Sequence, residues 1–190
     1  MSTTVHLAWI AQVNLGVLLA AAVATDLKAG KIPNRLVLWG LALAVAWHAI
    51  ALTAGQAPLA GNEPGAWFTG ALAGGAALLP LYLMRACGAG DVKLMAMVGA
   101  FVGVPMALSA ALYTLVAGGV LSIAVMALRG VAGQTLSNIR FLLTDWGLRA
   151  TTGQGLRLAP LSTTAARLPY AVAIAAGTFI ALWRPLPLLE

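Results

Sequence analysis

The chain has 190 residues, 61% of them apolar and 8% charged, against about 45–50% and about 25% in a soluble globular domain. That excludes an ordinary water-soluble domain; at about 20 residues per membrane crossing, six crossings leave no room for a second domain of any size. Charge is lopsided as well, with eleven Lys or Arg facing five carboxylates: Asp26, Glu63, Asp91, Asp145 and Glu190.

Apolar runs at about 7–25, 36–54, 67–84, 92–103, 105–128 and 168–183 predict an all-α, polytopic bundle of about six transmembrane helices. Residues 1–6 lack the positive stretch of a signal peptide, so the first run reads as a retained span. The fourth run is short, but Gly103, Val104 and Pro105 break the pattern and divide 92–128 into two segments. With two crossings there, Lys28, Lys31, Arg35, Arg85, Lys93, Arg129, Arg140, Arg149, Arg157 and Arg167 share one side, and only Arg184 falls on the other. That asymmetry is a positive-inside pattern, with both termini outside and segments 26–35, 85–91 and 129–167 cytoplasmic. Within the last of these, 134–150 reads as an interfacial helix, with Leu136, Ile139, Leu142, Leu143 and Trp146 on one face. The whole of 1–190 reads as a single integral-membrane domain.

The cations are scattered, without a basic stripe or interleaved aromatics, which argues against a nucleic-acid partner and for the lipid bilayer. Cys87 is the only cysteine, so neither an intramolecular disulfide nor a Cys-rich zinc site can form. His6 and His48 stand alone and read as structural. Gly70 with Gly74, Gly99 with Gly103, and Gly118 with Gly119 mark places for close helix packing.

The topology, drawn from cations alone, puts Asp26 and Asp91 at the same depth on the same face. For either residue alone a solvated helix end would be an adequate reading; the pair says more. Two carboxylates a few Å apart do not both ionise easily, so one keeps its proton. The ionised acid can then take a proton from a shared water while the protonated one hydrogen-bonds the oxyanion that forms on a peptide carbonyl. Gly88 and Gly90 would let an extended peptide approach the backbone. Asp91 precedes a helix and Asp26 follows one, so the helix dipoles point to Asp26 as the more often protonated of the two. Lys93 would favour a singly ionised pair or contact substrate, and Pro33 and Asn34 would shape the turn into the second span.

An Asp six residues before Ile32-Pro33-Asn34, followed by Gly88-Ala89-Gly90-Asp91-Val92-Lys93-Leu94, resembles the type IV prepilin peptidases, GxGD-type membrane aspartyl proteases. The resemblance runs from Asp26 to about Gly103, with Leu168-Pro169-Tyr170 also similar. It implies that Asp26 and Asp91 are the catalytic dyad, that no metal or organic cofactor takes part, and that the substrate is a pilin or pseudopilin precursor. Such a precursor is cut between a short basic leader and an apolar helix, at the cytoplasmic edge of the bacterial inner membrane. The long members also N-methylate their product and carry paired Cys-x-x-Cys motifs; with Cys87 alone, this chain resembles the short tight-adherence (Flp-type) form, for which methyl transfer is not expected. Two other readings fit the same residues: a GxGD protease acting on other signal-peptide-like helices, and a small proton-coupled transporter or assembly scaffold. Oligomeric state is open.

Overall fold

The structure, a computed structural model, describes residues 2–84, 86–128, 130, 133, 137, 144 and 169–186. Five helices are described from end to end, and no strand occurs among these residues: α1 (Ser2–Ala29), α2 (Asn34–Thr53), α3 (Ala66–Leu83), α4 (Ala89–Leu128) and α5 (Tyr170–Trp183). In hydrocarbon a backbone has to satisfy its own N–H and C=O groups, and a helix does so within one segment. Four helical stretches are long and apolar enough to cross a bilayer: Leu7–Ala29, Asn34–Thr53, Ala66–Leu83 and Ala89–Leu128. α5, with 14 residues, is shorter.

The difference from six separate runs lies in α4. Its 40 residues are about twice what one crossing takes, and the expected fourth and fifth runs form one element broken at Gly103. That residue has φ 75° and ψ 178°, a region essentially closed to side chains. A Cβ there would also run into the Ala60 carbonyl. The break between 103 and 105 is therefore where the sequence puts it, with Pro105 starting the second arm.

By internal contacts the chain forms two compact units, residues 1–118 with 169–190, and residues 119–168. In the second, residues 119–128 continue α4. The interfacial helix expected over 134–150 lies outside the described residues apart from Ser137 and Thr144, both helical; Asp145 and Glu190 also lie outside them.

In the first unit each outer helix buries a stripe of mostly small residues at helical spacing. The stripes are Ala11, Leu15, Leu19 and Ala22 in α1, Val37, Gly40, Ala44, His48 and Ala51 in α2, and Ala66, Gly70, Gly74 and Leu78 in α3. Large apolar side chains face outward instead, among them Trp9, Val17, Leu38, Trp39, Leu72, Leu83, Phe179 and Trp183. In water such a surface would be an aggregation hazard; against lipid it costs nothing, and small inward residues bring the backbones together.

The first arm of α4 is the centre of this packing. From 94 to 103 every residue except Ala96 is buried, as expected of a helix apolar all round and enclosed by others. Protein surrounds it on every side but that of Lys93 and Ala96, so its shortness needs no match to the bilayer. A Cβ on Gly99 would strike the Gly70 carbonyl, and one on Gly74 would strike that of Met95. α3 and α4 thus touch backbone to backbone at the expected glycines. Gly118 meets Tyr170 and Gly177 meets Thr114, whereas Gly119 has nothing within 4 Å. His48 is structural as expected: its Nε2 donates to the Glu63 carbonyl at 3.0 Å, tying α2 to the loop before α3.

Candidate active site

α1 ends because Gly30 takes φ 59° and its N–H closes on the Asp26 carbonyl at 2.8 Å, the glycine stop common at helix C-termini. This fixes Asp26 in the last turn of α1. Pro33 then caps α2 from an extended conformation (φ −64°, ψ 131°), which its ring favours. Its carbonyl accepts the Leu36 and Val37 N–H groups at 3.1 and 3.4 Å, so Pro33 shapes the turn as expected.

Asp91 lies in the first turn of α4 and is 8% exposed. Its Oδ2 accepts the Gly88 N–H at 2.8 Å, an acid reaching back over the opening of its own helix. Neither Gly88 nor Gly90 has a positive φ. A Cβ on Gly88 would lie 3.4 Å from Asp91 Oδ2 and one on Gly90 3.4 Å from Ile32 Cβ. A Cβ at either position would thus make ordinary van der Waals contact, on Asp91 in one case and on Ile32 of the α1–α2 turn in the other.

Asp26 is half-buried, and its Oδ2 accepts the backbone N–H of Ala171 at 3.3 Å. That donor belongs to the first turn of α5. Asp26 lies at the C-terminal end of α1, where the sequence puts it, and its carboxylate also faces the N-terminal end of α5. Each acid thus has a helix N-terminus beside it. The adjacent Tyr170 lies within electrostatic reach of both Asp91 and Cys87, and its hydroxyl sits where a Cβ on Gly118 would come within 3.2 Å. Segment 169–171 is therefore where the surroundings of the two acids meet. Nothing in the sequence announced Ala171, because its contribution is a backbone donor 145 residues from its acceptor.

Lys93 does not go to the acids. Its Nζ donates to Asn34 Oδ1 at 3.1 Å, and two positions along a helix are about 200° round its axis, which turns Lys93 away from Asp91. Cys87, half-buried beside the site, has its thiol pushed up to about 11, first by burial and then by the negative charge of Asp91. A thiol so held is protonated at neutral pH and is a poor nucleophile. Among the described residues no three His, Cys, Asp or Glu side chains converge as a metal site would need.

Residues 13–123, more than half of the chain, match the model of the type IV leader peptidase family, a span that includes both Asp26 and Asp91. No curated protein and no solved structure gives a significant match.

Proposed function

The chain belongs to the type IV leader peptidase family, and from that premise we propose that it is a membrane aspartyl endopeptidase. Its substrates are type IV or Flp-type prepilins, its cut removes their short basic leader, and Asp26 and Asp91 form its catalytic dyad. The observation that supports this reading is that Asp26 and Asp91 both fall within the residues matched to the family, with Asp26 accepting the Ala171 N–H beside Tyr170, a residue within electrostatic reach of Asp91.

The mechanism needs one acid ionised and the other protonated. With a water between them, the ionised carboxylate takes a proton as the water oxygen attacks the peptide carbonyl, and the protonated one hydrogen-bonds the oxyanion. Collapse of the tetrahedral intermediate breaks the C–N bond, and the leaving nitrogen takes up a proton from the dyad. Backbone donors at Gly88 and Ala171 help to hold the two carboxylates in place.

The orientation follows from the cation distribution, with the active site at the cytoplasmic face of the inner membrane, both termini outside, and Gly103 separating the fourth crossing from the fifth. A leader that stays cytoplasmic and an apolar helix that enters the bilayer would meet at this depth. The residues around the dyad have supporting roles: Gly88 and Gly90 let an extended peptide approach the backbone, and Pro33 with Asn34 fixes the turn beside them. The 190 residues contain no Cys-x-x-Cys pair, and the activity proposed is cleavage without N-methylation. Co-expression with candidate precursors tests the reading: wild type should shorten the cognate precursor, and Asp26→Ala and Asp91→Ala should each leave it full length. Processing that survives either change would refute it.

A further inference from the structure

Outside the dyad, a trough of about 320 Å³ runs between α2 and the first arm of α4, lined by Asn34, Val37, Leu38, Leu41, Lys93 and Ala96. The α2 residues fall on one helical face, as do Lys93 and Ala96 on α4. Its chemistry is divided along its length. Asn34 and Lys93 stand where the two helices begin, and every lining residue deeper along α2 and α4 is apolar. Leu38, 64% exposed, opens it to the outside.

That division matches a phospholipid, with a charged headgroup at the membrane edge and hydrocarbon below it. Lys93 is held in place, since one of its three N–H groups is donated to Asn34 Oδ1 at 3.1 Å. Two N–H groups are left, and the Asn34 amide adds two more donors beside them. This is a donor cluster of positive charge, complementary to phosphate oxygens. A zwitterionic headgroup brings an ammonium that competes with Lys93; an anionic one does not. The trough lies on the side of α4 turned about 200° from Asp91, which separates it from the acids and argues against a peptide in the act of cleavage. We propose that this trough binds one anionic phospholipid, its phosphate on Lys93 and Asn34 and an acyl chain along Val37, Leu38 and Leu41. Such a lipid would brace α2 against α4 at the Asn34–Lys93 hydrogen bond, close to where Ile32 lies on Gly90.

The test is lipid retention by the full chain in detergent, measured by native mass spectrometry with phosphatidylglycerol or phosphatidylcholine. One lysine near an anionic surface gives about a fivefold preference, so wild type should retain phosphatidylglycerol about fivefold better. Lys93→Gln should abolish the preference and Lys28→Gln should preserve it. A photoreactive side chain at Leu38, in a chain that keeps Lys93, should capture phospholipid in membranes. Equal retention of the two lipids by wild type would overturn the proposal, as would a preference undiminished in Lys93→Gln or capture of precursor in place of lipid at Leu38. None of these readouts depends on cleavage, so the proposed peptidase activity stands or falls separately.

Discussion

Replacing Gly99 by Ala puts a methyl group into the tightest part of the bundle. Its Cβ would lie 2.7 Å from the Gly70 carbonyl carbon and 3.3 Å from the Ala71 nitrogen, with the Gly70 oxygen closer still, where carbon contacts ordinarily relax to about 3.5–4.0 Å. All three atoms are backbone, so no side chain can swing aside and α3 has to part from α4 by about 1 Å, a gap that forfeits about a quarter to a half of each contact along it. Overpacking of this kind costs about 1–3 kcal/mol, against a gain of about 1 kcal/mol for Ala over Gly inside a helix. With only backbone atoms in the way the steric cost falls at the upper end of that range, and Gly99→Ala should lose about 2 kcal/mol. Gly16 supplies the control, being inside α1 with nothing within 4 Å of a new Cβ, so Gly16→Ala should be neutral or gain up to about 1 kcal/mol. Reversible unfolding of both variants in mixed micelles, followed by tryptophan fluorescence, measures the difference. Equal stability of Gly99→Ala and wild type, or a loss in Gly16→Ala as large as that in Gly99→Ala, would refute the reasoning.

Two further outcomes follow from the same geometry. Gly103→Ala forces a side chain into a conformation costing about 1–3 kcal/mol and against the Ala60 carbonyl; its loss of stability should exceed that of Gly99→Ala in the same unfolding assay. The Cys87 thiol, at about 11, is protonated below that pH and ionises only as the pH rises through it, so alkylation by iodoacetamide should be slow at pH 8 and accelerate toward pH 11. Asp91→Asn removes the second cause of that shift and should raise the rate at pH 8, burial still keeping it below that of a free thiol; an unchanged rate would mean that Asp91 does not face Cys87.

The sequence made the helices and their interruptions legible because apolar length, Gly30, Pro33 and the Gly103–Pro105 break act locally. It also marked Gly70, Gly74 and Gly99, since only a missing side chain permits backbone contact. Which face of each helix turns inward was less visible. Lipid-facing and core-facing positions are both apolar here, and what separates them is size, Ala and Gly inside against Trp, Leu and Phe outside. Asp26 and Asp91 stood out as charges in apolar surroundings, but their partners did not. Lys93 looks like a neighbour of Asp91 in the chain, yet helical rotation takes it to Asn34. The N–H of Ala171 is invisible in principle, because any residue but proline supplies one and only the fold decides which carboxylate receives it.

The most direct test is cleavage in a purified system. Wild type, Asp26→Asn and Asp91→Asn would be reconstituted in bilayers with a prepilin, and leader release followed by mass spectrometry. If the two carboxylates share the work of activating water, wild type should release the leader and each Asn variant should release none while unfolding at the temperature of wild type. Normal release by either well-folded variant would contradict the account.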